Sequence, residues 1–177
     1  TIGTRLTQAA TVKRIADTFP DVWCTVGIHP HQAAEAPIPT VEAFVALADH
    51  PKVVGIGEAG LDYHYDRAPR DIAAEVFRRQ IRAARITGLP LVIHARDADA
   101  DLAAILTDEH AQGGAFPFVL HCFSSGRALA ETGVALGGSV SFSGILTFRR
   151  SDDLRALARD LPADRLLVET DAPFLAP

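Results

Sequence analysis

Six times along this chain a short apolar run ends in a polar or turn-forming junction, and stretches of helical periodicity separate the runs. The junctions fall at His29, Glu58, His94, His121, Ser143 and Asp171, spaced by 22 to 36 residues. A strand–helix unit needs about 30 residues, so each interval holds one unit. The apolar runs Val22–Ile28, Val53–Ile56, Leu91–Ile93, Phe116–Leu120, Ser139–Ser143 and Arg165–Val168 read as strands. Helical spacing marks Leu6–Phe19, Thr40–Asp49, Asp71–Thr87, Ala98–Leu106, Arg127–Leu136 and Asp152–Ala158. Short strands buried on both faces and joined by helices make a parallel sheet. The fold class is therefore α/β, either an open doubly wound sheet or a (β/α)₈ barrel.

No Gly-x-Gly-x-x-Gly or Walker A loop is present, which disfavours the nucleotide-binding version of the open sheet. The barrel predicts polar functional residues at the C-terminal ends of several strands, and His29, Glu58, His94, His121 and Asp171 stand there. Glu58 is the most telling of them. In Val53–Tyr63, VVGIGEAGLDY, a carboxylate follows a four-residue apolar strand at the bend that Gly57 allows, and Gly60 and Asp62 read as a turn. A charge beside an apolar strand must be paired, hydrogen-bonded or bound to a metal. In the helix over Asp71–Thr87, Ile72, Val76, Phe77, Gln80, Ile81 and Ala84 form the inward stripe. Arg78, Arg79, Arg82 and Arg85 then read as its solvated outer face.

Net charge narrows the function classes. At −5 the chain is not a generally basic nucleic-acid binder, although metal ions can supply positive charge at a nuclease site. No apolar run is long enough to span a membrane, and no signal peptide is visible. Cys24 and Cys122 lack metal-type spacing and read as two buried thiols. Together these set the expectation of a cytoplasmic protein. The absence of Met sets the further expectation that the natural N-terminus lies outside this sequence.

Three strand ends bring Glu58, His94 and His121 to one mouth, with Asp171 on the last strand and Glu169 an equal candidate for the functional acid. Imidazole with carboxylate suits Zn²⁺, Mn²⁺ and similar ions. A carboxylate can bridge two metals about 3.5–4 Å apart.

Six motifs then resemble, in order, those of the TatD family of metal-dependent deoxyribonucleases. They are GIHPH (27–31), GEAGLDY (57–63), IHARDA (93–98), LHCFS (120–124), SFSGILTF (141–148) and ETDAPFLAP (169–177). The resemblance implies a TIM barrel of the amidohydrolase type and divalent-metal-dependent hydrolysis of DNA, often exonucleolytic, with single-stranded DNA as the expected substrate. It implies two divalent ions, drawn from Zn, Mn, Mg, Ni or Co. Glu58 would bridge them, His94 and His121 would ligate one, and Asp171 would ligate the other and orient or deprotonate the water. Asp171 and Glu58 are thus the implied catalytic residues. His29, His31 and Arg96 take substrate-phosphate or outer-shell roles.

One departure bears on the ligand count. The family opens with a His-x-His pair on its first strand, and no such pair precedes Val22 here. A barrel typically takes about 250 residues, against 177 in this chain. The motif order makes Val22–Ile28 the third strand and Arg165–Val168 the eighth. The expectation is one metal-dependent hydrolase domain over residues 1–177, truncated at both ends. It should form an incomplete barrel of about six parallel strands, its metal site empty or partly filled. Two other readings stand beside DNA hydrolysis. One is hydrolysis of a small amide, ester or lactone on the same barrel; the other is a piece that is not catalytic by itself.

Overall fold

The structure is a computed structural model and describes residues 1–175. Strand and helix alternate throughout: α1 (Ala9–Thr18), β1 (Cys24–Val26), α2 (Val41–Ala48), β2 (Val53–Asp62), α3 (Arg70–Thr87), β3 (Leu91–Arg96), α4 (Asp99–Gly113), β4 (Phe118–Leu120), α5 (Arg127–Ala135), β5 (Ser139–Phe142), α6 (Asp152–Asp160) and β6 (Leu166–Val168). The six strands form one sheet in chain order, β1 to β6, and every neighbouring pair is parallel. A doubly wound sheet reverses its strand order at a switch point. Here the order never reverses, so the sheet is a stretch of barrel wall. β1 and β6 do not pair with each other, and the wall stays open.

The strands carry the core. Ile56, Leu61, Leu91, Ile93, Leu120 and Val140 are fully buried, and helix residues Phe44, Phe77, Ile81, Leu102, Leu106 and Leu129 pack over them. Each such side chain contributes about 1.5–3 kcal/mol by leaving water. α3 shows how the pattern works: Ala73, Val76, Phe77, Gln80, Ile81 and Ala84 are all buried at helical spacing. Gly88, at φ 70°, closes the helix in the left-handed region. Gln80 is the polar member of that stripe. Its Oε1 accepts from Ile28 N at 2.9 Å and its Nε2 donates to Ile28 O at 3.0 Å. A helix residue thereby holds the backbone that leads into His29.

Two local features differ from the sequence reading. β2 does not stop before Gly57 but runs ten residues to Asp62. Its register against β3 shifts between Ile56 and Ala59, a bulge of the kind that re-aims a side chain beside a functional site. Gly57 is a close-approach residue: its φ is 137°, and a Cβ there would meet Val92 O at 2.7 Å. Glycine here lets β2 lie tightly on β3; it does not end the strand. The second difference is on α3. Arg78, Arg82 and Arg85 turn toward α4, where the Glu109 side chain is only 2% exposed. Arg78 also pairs with Asp108 at 2.6 Å. These arginines are an interhelical ion network around a buried carboxylate, not a solvated face. Cys24 and Cys122 are both free thiols. Among the described residues, no helix is long and apolar enough to cross a membrane.

Candidate metal centre

The parallel sheet brings the strand-end residues to one rim. Glu58 lies in the β2 bulge and His94 in β3. His121 directly follows β4, His29 follows β1, and Glu169 directly follows β6. Glu58 Oε1 is 3.0 Å from His94 Nδ1, 3.4 Å from His121 Nε2 and 3.5 Å from His29 Nε2. One carboxylate oxygen thus faces three imidazole nitrogens. The donor atoms of His29, Glu58 and His94 all lie within 4.8 Å of one another. Donors around a tetrahedral Zn²⁺ at about 2.0–2.1 Å stand about 3.3 Å apart, so this spacing fits a divalent ion.

Carboxylates hold two of the imidazoles from behind. Asp62 Oδ2 accepts from His94 Nε2 at 3.0 Å and from His31 Nε2 at 2.8 Å, and the Asp62 side chain is 1% exposed. Its Oδ1 accepts from Tyr65 N at 2.9 Å. Glu169 takes His121 Nδ1 at 3.1 Å and also accepts from Cys122 N. A neutral imidazole that donates one N–H to a carboxylate presents the other nitrogen as a lone pair. Once the proton facing Glu58 is given up, His94 presents Nδ1 and His121 presents Nε2 as lone pairs on that side.

His29 is wired the other way. Its Nδ1 accepts from His31 N at 3.1 Å, so its proton sits on Nε2, facing Glu58. Proximity alone groups His29 with the metal donors, but its hydrogen bonding makes it a donor into the cavity. In that tautomer His29 turns an N–H, not a lone pair, toward Glu58. Burial pushes the His29 imidazole down to about 4 despite the Glu58 charge beside it, so it is neutral at physiological pH.

The electrostatics of the cluster follow from the same contacts. Burial would raise Glu58, but hydrogen bonds with His121 and His94 hold its carboxyl far below the usual range. Burial likewise disfavours charge on His121, yet Glu169 and Glu58 outweigh it and push the imidazole up to about 10. His94 is raised against its burial by Asp62 and Glu58. Carboxylates that draw protons onto two imidazoles in a buried pocket would draw a divalent cation onto the same nitrogens.

Asp171 is half-buried and lines the same cavity, of about 990 Å³, together with Arg96, His29, Glu58, His94 and His121. Among the described residues it makes no ion pair or side-chain hydrogen bond with the cluster. Arg96 ends β3 and is exposed. His31 does not line the cavity; it stands behind it on Asp62. The last two residues of ETDAPFLAP, Ala176 and Pro177, lie outside the described residues. The sequence reading passed over Asp62 by taking it as a turn former. The available signal was strand alternation: Glu58, Gly60 and Asp62 share one face if the strand continues.

A parallel (β/α) wall with imidazoles and carboxylates gathered at its C-terminal rim defines a barrel of the metal-dependent hydrolase class. Within that class the chain belongs to the TatD related DNase family, whose profile matches residues 1–177. It is 40% identical over 158 residues to the uncharacterized metal-dependent hydrolase YabD of Bacillus subtilis, covering 88% of this chain and 60% of that protein. It is 35% identical over 178 residues to the 3'-5' ssDNA/RNA exonuclease TatD of Escherichia fergusonii, covering 99% of this chain and 67% of that protein. The crystal structure of YJJV, a TatD homolog from Escherichia coli, superposes with a TM-score of 0.87 at 27% identity. That match covers 98% of this chain and 67% of YJJV. The chain thus spans only part of the length of these relatives.

Proposed function

We propose that residues 1–177 form one metal-dependent hydrolase domain and carry most of the active site of a phosphodiesterase that degrades DNA, single strands by preference and from an end. The observation that carries this reading is the Glu58 oxygen facing His94 Nδ1 and His121 Nε2, each imidazole set by a carboxylate behind it. The nuclease name of a relative sharing 35% identity supports the choice of substrate. So does the cavity, which opens to solvent and has Arg96 and His29 beside the carboxylates in its lining.

In this reading Glu58, His94, His121 and Asp171 hold two divalent ions. When bound, these supply Lewis-acid polarisation of the phosphoryl group and a lowered pKa for water. The chain's own groups do the rest. His29 donates its Nε2 proton as a hydrogen bond to a non-bridging phosphate oxygen, which its neutral state and fixed tautomer suit. Arg96 pairs with a phosphate at the rim. Asp171 accepts the proton of the attacking water as the water oxygen bonds to phosphorus; the scissile P–O bond breaks, and the departing sugar oxygen keeps its electron pair and takes a proton from solvent. Buried Asp62 and half-buried Glu169 keep the two imidazoles from turning.

The test is hydrolysis of single-stranded DNA by the full-length protein, before and after chelation and metal add-back, with Asp171→Asn alongside. Turnover should vanish on chelation, return with a divalent ion and fall by about 10³-fold or more in the variant while the fold persists. Undiminished cleavage after exhaustive chelation would sink the proposal.

A further inference from the structure

We propose that Tyr65 is a stacking platform for a nucleobase of the substrate strand, with Arg67 and Arg96 beside it to take the adjoining phosphates. This rests on the phosphodiesterase reading and extends it to how the strand is gripped.

Tyr65 follows β2 by three residues, and its side chain is not part of the core; the residue is 50% exposed. The ring meets two imidazoles edge-on, His64 at 4.9 Å and His31 at 5.2 Å between centroids, with interplanar angles of 88° and 84°. The guanidinium carbons of Arg67 and Arg96 each lie 5.3 Å from its centroid. Both arginines are exposed. Both cations lie over the ring at cation–π distance, a place an incoming base would take as the two exposed arginines swing out to its phosphates.

The ring's position is fixed by the machinery of the metal site. Tyr65 N is held by Asp62 Oδ1, and the other oxygen of that carboxylate holds His31 and His94. From ring to donor cluster the path is short. His31 touches Tyr65 on one side and His29 on the other, at 4.4 Å between imidazole centroids, and His29 faces Glu58. His64 and Arg96 both line the cavity, so the ring sits just outside its rim. An aromatic face with cations alongside is the arrangement by which proteins hold single-stranded nucleic acid: the base stacks and guanidinium groups follow the backbone. An aromatic ring takes any base by its π face. Binding should therefore tolerate any base and require that a base be present.

The experiment compares full-length wild-type, Tyr65→Phe and Tyr65→Ala proteins, metal-loaded, on a short single-stranded oligonucleotide and on the same strand carrying abasic sites one position at a time. For wild-type and Tyr65→Phe, one abasic position should raise KM by roughly tenfold, in keeping with the usual worth of a base–aromatic stack. For Tyr65→Ala the intact strand should already show that raised KM, and the abasic scan should be flat. The second readout needs no turnover. With metal removed by chelation, a strand with 2-aminopurine at the sensitive position should lose fluorescence on mixing with wild-type or Tyr65→Phe protein and keep it with Tyr65→Ala. Metal content by mass spectrometry should be equal in all three, which separates stacking from damage to Asp62. A wild-type scan with no sensitive position, or an unchanged KM in Tyr65→Ala, overturns the platform and leaves the phosphodiesterase reading standing. A wild-type protein that cuts no strand overturns that reading and the platform with it.

Discussion

Asp62 accepts hydrogen bonds from two imidazoles and one backbone amide while almost wholly out of water. A buried carboxylate survives only when it is so satisfied. Its burial would raise its pKa, yet the bonds from His94, Tyr65 N and His31 hold it well below the usual range. The negative charge makes His94 a better donor nitrogen on its other side. Asp62→Asn keeps the volume and removes the charge, so metal affinity should fall by about 10- to 100-fold, as competition with a chromogenic chelator would read. An unchanged affinity would reduce Asp62 to a structural role. Glu58→Gln should remove metal outright, measured as ions per chain. Arg96→Ala should raise KM for DNA and leave metal content alone, because Arg96 stands at the rim of the cavity.

α3 and α4 are joined by Glu109, whose carboxylate meets Arg78 at 3.2 Å and Arg82 at 2.8 Å, and whose backbone carbonyl accepts from Arg85 at 2.6 Å. Removing one member of a buried ion network leaves the others uncompensated, at a cost of about 3–5 kcal/mol. The arginines here are partly solvated, which places Glu109→Ala near the lower figure. Chemical denaturation should show that loss, and a smaller one for Arg78→Ala, since Glu109 would keep Arg82. A Glu109→Ala variant as stable as wild type would mean that water already compensates the arginines. This network also shows what the sequence could reveal. Strands and helices were legible because burial writes itself into local spacing: consecutive β-branched residues in β3, a stripe at three- and four-residue intervals on α3. The rim residues were legible because strand ends mark the functional side of a barrel. The partner of Arg78 lies 31 residues away on another helix, and no local period encodes it. The length of β2 was hidden for a related reason. Gly57 reads as a breaker until the approach of β3 is known, and with the strand cut short Asp62 fell into an apparent turn.

The open wall has two unlike edges. At β1 the chain covers itself: Thr25 N donates to Thr1 O at 3.1 Å and His29 N to Thr4 O at 3.0 Å, and the same segment reaches β2, where Glu58 N donates to Gly3 O at 2.8 Å. At β6 the only strand partner among the described residues is β5, and Leu167 and Val168 are 49% and 87% exposed. An apolar edge with free backbone groups is a template for pairing with another chain. In a closed barrel this edge would be paired, and Glu169, which holds His121, would lie one residue beyond a fixed strand instead of a free one. A polypeptide of residues 1–177 alone should therefore self-associate through β6, its apparent mass by light scattering rising with concentration. Val168→Lys places on that edge the residue natural sheets use to block pairing, and should shift the distribution toward monomer. The same edge bears on the site. With β6 unpaired on one side, His121 should be less firmly oriented than His94, which sits in a central strand behind Asp62. Imidazole relaxation measured by NMR should find His121 the more mobile of the two in the isolated polypeptide, and the difference should shrink in the full-length protein. A strictly monomeric 1–177 polypeptide at every concentration, with His121 as rigid as His94, would show that the β6 edge needs no partner.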